Sequence, residues 1–178
     1  MKKVFLILLS VGIFAQETET QNYEVIKSMN NFEIRFYPSV VKAKVTSDRN
    51  FAKLFRYISG NNEGSEKIAM TSPVYMTREG NKNTMEFVLP SKYSIQNASQ
   101  PLDKEIQIYS TKPGYYAAIQ FGGYSNSEKV KKYHEVLLQK LAENGYKTIQ
   151  KLPMSLTYNS PYKVFNRRNE VLIQIEYP

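Results

Sequence analysis

The 178-residue sequence carries 24 Lys+Arg against 16 Asp+Glu, one His, no Cys and no Trp, for a formal net charge of +8. Without Cys there is no disulfide framework, no thiolate nucleophile, no Cys-ligated zinc and no Cys-x-x-Cys-His cofactor attachment. With His134 as the single His, one chain cannot assemble a multi-His metal site, and a Ser-His-Asp triad would have to use that residue.

Met1-Lys2-Lys3 is a short basic start, Val4 to Leu9 is an unbroken apolar run extended by Val11, Ile13 and Phe14, and Ala15 is a small residue before the polar Gln16-Glu17-Thr18-Glu19-Thr20. This is the order of a secretory signal peptide, which is removed from the mature protein. The run is too short for a membrane span, which needs about 20 apolar residues, and a lipoprotein would need a Cys at the cleavage site. The expected layout is a signal peptide over 1–15, a short polar lead over 16–21 and one domain over 22–178. Loss of Lys2 and Lys3 lowers the net charge to +6. The expected location is bacterial and exported, either periplasmic or secreted, with no membrane span after cleavage. A Cys-free exported chain of this length must rest on its core, and it can bury about 68–70% of its unfolded surface.

No Gly/Ser linker or Pro-rich tract divides the mature chain. Period-2 alternation predicts strands at Phe32-Ile34-Phe36, Val41-Ala43-Val45, Met85-Phe87-Leu89, Ile106-Ile108, Ala117-Ile119-Phe121 and Val171-Ile173-Ile175. Helical spacing appears twice. A first helix, capped near Ser47 or Asp48, carries Phe51, Leu54, Phe55 and Ile58 on one face and stops at Gly60. A second opens on Ser125-Asn126-Ser127-Glu128, a capping-box pattern, places Val130, Tyr133, Leu137, Leu138 and Leu141 on a stripe, and stops at Gly145. Strand, strand, helix and a Ser-Pro turn recur, with Ser72-Pro73 set against Ser160-Pro161 at an offset of 88 residues. Two facing strand-strand-helix-strand units make an α+β fold: a distorted antiparallel β-barrel carrying two helices.

Chemistry-bearing residues are sparse. His134 falls between Leu141 and Leu138 on the wheel of the second helix, so it is either a ligand or base, or the more ordinary packed boundary residue. Glu170 enters an otherwise apolar final strand, where it either faces a barrel interior as a perturbed carboxylate or pairs with Arg167 or Arg168. Lys129, Lys131 and Lys132 belong to a solvated helix face. The basic and aromatic residues lack an RNA-binding pattern, and Gly122-Gly123 lacks the third Gly of a dinucleotide motif; no nucleic-acid partner is expected. Met70, Met76, Met85, Met154, Phe51, Phe55 and Tyr158 are mostly core, with some suited to a groove for a flat apolar ligand. A haem would also need cations for its propionates, for which Lys53, Arg56 and Lys163 lie near apolar segments.

Several stretches resemble the SOUL/haem-binding protein family. They are Tyr23-Glu24-Val25-Ile26 with Phe32-Glu33-Ile34-Arg35-Phe36-Tyr37; Lys67 to Val74; Phe121-Gly122-Gly123-Tyr124; Tyr158-Asn159-Ser160-Pro161; and Arg167-Arg168-Asn169-Glu170-Val171. They span nearly the whole mature chain in the family's order, and the Met-Thr-x-Pro-Val and Arg-Asn-Glu-Val pieces are the more specific. The resemblance implies a non-enzymatic protein that binds haem or another tetrapyrrole non-covalently in an apolar groove beside the first helix. Phe51, Leu54, Phe55 and Ile58 would form the helix wall, Met154 and Tyr158 strand contacts, and Lys163 with Lys53 or Arg56 the propionate cations. One departure matters: where some members carry a His proposed as axial ligand, this chain has Phe36, which leaves His134, a Tyr, a Met or no ligand for the iron. The fold also resembles the effector-binding domains of bacterial regulators, which hold cationic aromatic ligands against a buried Glu. The alternatives are therefore a carrier or sensor of other hydrophobic or cationic small molecules, with Glu170 as the residue to watch, and a small hydrolase using Glu170 and a Tyr.

Overall fold

The computed structural model describes residues 18–177; the expected signal peptide lies outside the described residues. Nine strands and two helices follow in the order β1 (Glu24–Met29), β2 (Phe32–Tyr37), β3 (Val41–Thr46), α1 (Asn50–Ile58), β4 (Val74–Glu79), β5 (Lys82–Val88), β6 (Gln107–Ser110), β7 (Gly114–Phe121), α2 (Ser127–Glu143), β8 (Met154–Thr157) and β9 (Asn169–Gln174). All strands join one antiparallel sheet in the order β1-β2-β7-β9-β8-β4-β5-β3-β6.

Leaving out the added edge strand β1, that order reads the same from both ends. β4, β5 and β3 on one side of the β4–β8 junction match β8, β9 and β7 on the other, and β6 and β2 each cross over to close the opposite half. The α+β, barrel-like architecture of two repeated halves is therefore present, with one further strand in each half than the alternation predicts. The two Ser-Pro turns are not equivalent, however. Ser72-Pro73 leads into β4, whereas Ser160-Pro161 follows β8, so the 88-residue offset compares different connections.

The sheet has two differently covered faces. α1 lies on β3 and β5, and α2 on β7 and β9. Beneath α1 are Val45, Leu54, Tyr57, Phe87 and Ile106; beneath α2 are Ile34, Ile119, Leu137, Leu141 and Ile173. On the other face Tyr37, Tyr75, Val88, Ala118, Leu156 and Leu172 form a third core cluster. Among the described residues no helix covers it; these residues are buried because the sheet curls around them. The central strand β9 is consequently buried on both faces, which requires the run Val171-Leu172-Ile173 instead of a polar outer face.

The helix ends follow the sequence partly. Asn126 caps α2, its side chain accepting from Lys129 N at 2.8 Å, and Gly145 follows the helix with φ +75°. At α1 the cap position is held by Arg49, whose side chain makes no capping bond. Asn50 works in the reverse direction: its Oδ1 accepts from Ser47 N at 2.6 Å, and its Nδ2 donates to Asn83 O at 2.7 Å. The start of α1 is thereby pinned to the start of β5, which fixes the wall of the groove described next.

Candidate functional site

A groove of about 610 Å³ opens on the helix face between the N-terminal ends of α1 and α2. Phe51 forms its α1 wall, Met76, Met85, Pro153 and Ser155 its floor, and Val130 its α2 side. The floor follows from strand parity: Met76 and Ser155 are cross-strand partners on the helix side of β4 and β8, while Tyr75 and Leu156 point to the inner face. Phe51 is 48% exposed and Phe55 49%, and their rings stack at 5.8 Å between centroids. Two large rings left open on one helix face mark it as a surface for an apolar partner.

Arg49 and Arg78 stand at the rim. Arg78 donates to Gly80 O at 3.2 Å and to Ser127 Oγ at 3.0 Å. Neither Arg forms an ion pair with a carboxylate among the described residues. His134 lies one helical turn beyond Val130 on α2. Its Nε2 is buried with no hydrogen-bond partner among the described residues, and burial lowers its pKa, with Glu135 offsetting part of that effect. The imidazole is thus held neutral, the form that can coordinate a metal. Among the described residues no group of three His, Cys, Asp or Glu side chains could hold a bare ion.

The sequence-expected site residues divide. Phe51 lines the groove and Phe55 stacks beside it. Leu54 and Ile58, on the adjoining edge of the same side, are buried in the core under α1, so the helix wall is narrower than the four-residue stripe. Met154 and Tyr158 belong to the inner face and cannot share a cavity with Phe51. Lys53 is engaged elsewhere: its Nζ meets Asp103 at 3.0 Å and Glu105 at 2.9 Å, which raises its pKa and lowers that of Asp103. Arg56 is exposed in the last turn of α1, and Lys163 is exposed on the β8–β9 loop beside Tyr162, Val164 and Phe165. The rim cations are instead Arg49 and Arg78, which carry no periodic signal, since one precedes a helix and the other ends a strand.

Glu170 resolves in favour of pairing. It is fully buried on the inner face. Arg35 donates to it through two nitrogens (2.7 and 3.1 Å), Arg168 through two (3.1 and 2.7 Å), and the Tyr158 hydroxyl at 2.8 Å. Burial pushes its pKa up, but Arg35, Arg168 and Tyr158 together outweigh burial and hold it below the ordinary carboxylate value. Arg35 was not foreseen; it sits 135 residues away in sequence and reaches Glu170 because Arg35 and Glu170 share the inner face on strands flanking β7.

Glu170 and His134 both have folded-state pKa values below their unfolded ones, so each contributes stability that is present at high pH and lost on acidification. For His134 the loss begins as pH falls below about 6.5 and is complete below its folded value; for Glu170 the corresponding start is about 4.5. Thermal unfolding across pH should show two descending steps. His134→Leu should remove the upper one and leave the lower.

A groove of this size with mixed apolar walls and a cationic rim, on a two-fold α+β half-barrel, has the dimensions of a small-molecule site. The family model described as "SOUL heme-binding protein" matches residues 18–174, and the chain belongs to that family. It is 30% identical to heme-binding protein 2 of Homo sapiens over 92% of this chain and 90% of that one. It is 28% identical to heme-binding protein 1 of Xenopus laevis over 70% and 68%. Among solved structures it shares the fold of the EcmrR C-terminal domain, with a TM-score of 0.57 at 14% identity over 83% of this chain and 98% of that one. It also shares the fold of a hydrolase from Listeria innocua, with a TM-score of 0.59 at 8% identity over 85% and 94%.

Proposed function

We propose that this protein is an exported, non-enzymatic binder of haem or a related tetrapyrrole, held without covalent attachment in the groove beside α1. The groove itself carries the reading. Its volume of about 610 Å³ falls within the roughly 300–1,000 Å³ of small-molecule sites, its Phe51, Met76 and Met85 suit a flat apolar ring, and Arg49 and Arg78 are placed for ring carboxylates. Bound haem would supply an iron centre that a protein side chain could ligate. This chain's part is to stack the ring and neutralise the carboxylates; His134, one turn beyond Val130 on α2, does not line the groove. The expectation of export rests on the basic, apolar and small-residue order of positions 1–15.

The inner face argues against the rival readings. Glu170 already accepts from two guanidinium groups and a phenol, so it has no charge left for a cationic ligand and no lone pair placed to act as a base.

Haemin added to the purified protein at micromolar concentration should produce a saturable Soret change; its absence overturns the proposal. His134→Ala should shift the Soret and visible bands if its imidazole ligates the iron. An unchanged spectrum with retained binding assigns the ring to apolar contacts alone.

A further inference from the structure

The inner face holds a second carboxylate cluster, related to that of Glu170 across the sheet. Tyr75 on β4 pairs with Leu156 on β8, and the next strands outward place Glu86 opposite Tyr75 and Glu170 opposite Leu156. Each Glu meets a cation and a tyrosine. Glu86 receives Lys42 Nζ at 2.9 Å and the Tyr109 hydroxyl at 2.8 Å, and Lys42 Nζ also sits 3.3 Å over the Tyr75 ring. The two clusters differ in access. Glu170 is sealed, whereas Glu86 forms part of the wall of a cavity of about 710 Å³.

Around Glu86 this cavity is apolar and aromatic, with Tyr109, Tyr116, Leu152 and Met154 on its walls. Its charge is one-sided. The Glu86 carboxylate is neutralised by Lys42, while Lys112 and Lys151 at the mouth have no carboxylate partner among the described residues. A cation would face two unopposed ammonium groups here; an anion would be drawn in by them.

We propose that this cavity is a second ligand site, independent of the α1 groove, for a small amphipathic anion: an aromatic or aliphatic body against Tyr109, Tyr116 and Leu152, with its carboxylate or sulfonate at Lys112 and Lys151. The site has the opposite charge preference from one built on an unpaired buried Glu. It also lies on the opposite face of the sheet from Phe51, so the two ligands need not compete.

The probe is 1-anilinonaphthalene-8-sulfonate, whose fluorescence rises on entering an apolar site, titrated into the purified protein with decanoate and decylammonium as competitors. A single saturable phase is expected, displaced by decanoate and not by decylammonium. The Lys112→Glu/Lys151→Glu double variant should weaken it by about tenfold or more, because two attractive charges become repulsive, with unfolding temperature and haemin spectrum unchanged. Both lysines are solvent-exposed, and the milder Lys112→Gln/Lys151→Gln pair should give a smaller loss in the same direction. Phe51→Ala should leave the probe's affinity unaltered. The proposal is overturned if the lysine variants bind the probe as the parent does, if decylammonium competes as well as decanoate, or if one equivalent of haemin displaces the probe.

Discussion

Glu170→Gln should destabilise the protein by about 3 to 5 kcal/mol, the range for removing one partner of a buried ion pair. The substitution keeps the side chain's shape and deletes its charge. Arg35, 3% exposed, would then stay in the inner face without its main counterion. Tyr158 and Tyr37 would be left beside it, both already carrying pKa values raised by burial, Tyr37 to about 12. Glu33 accepts from Arg35 Nε at 2.7 Å but lies at the half-exposed rim, so it offsets part of the loss and places the result at the lower end of the range. Urea unfolding should show a lower midpoint with an unchanged slope. Replacing both members, Arg35→Met with Glu170→Leu, should recover part of the loss, since an apolar pair avoids the desolvation that the charged one suffers. A loss below about 1 kcal/mol for Glu170→Gln would mean that the network does not hold the inner face together.

That network also shows where sequence reading stops. Strands covered on one face by a helix were legible, because Phe32-Ile34-Phe36 and Ala117-Ile119-Phe121 alternate as a half-polar surface requires. β1, β4 and β8 were not. β1 is an exposed edge strand with an irregularity between Val25 and Lys27. β4 and β8 meet at the junction of the halves, where one side faces the groove and the other the inner core, so Val74 to Thr77 and Met154 to Thr157 carry no simple polar face. Pairing of Glu170 with Arg168 was readable from their two-residue spacing at the start of the last strand. Pairing with Arg35 was not, because it depends on β2 crossing to the other half of the sheet. Helical spacing correctly put Phe51, Leu54, Phe55 and Ile58 on one broad side of α1. What it could not tell is which edge of that side faces the core and which faces the groove; only the position of β3 and β5 beneath the helix decides that.

Leu54→Ala and Phe51→Ala, three residues apart on α1, should therefore have opposite consequences. Leu54 is 0% exposed within the cluster that includes Val45, Tyr57, Phe87 and Ile106. Its truncation removes buried methyl groups and leaves a void that close-packed neighbours fill only in part, so about 3 to 5 kcal/mol of stability should be lost. Haemin affinity, measured where the variant remains folded, should stay within about twofold of the parent, because Leu54 has no surface on the groove. Phe51, half exposed and in contact with Phe55 and Phe87 rings, should lose about 1 kcal/mol of stability or less on truncation. It should weaken haemin by about tenfold, the equivalent of one lost aromatic stacking contact with its buried area. The two measurements cross: stability falls where binding does not, and binding falls where stability does not. If Leu54→Ala weakened haemin as much as Phe51→Ala while still folded, the ligand would have to enter beneath α1, through a core that is closed in this structure. The placement of the site on the helix face, with Met76 and Met85 as its floor, would then be wrong.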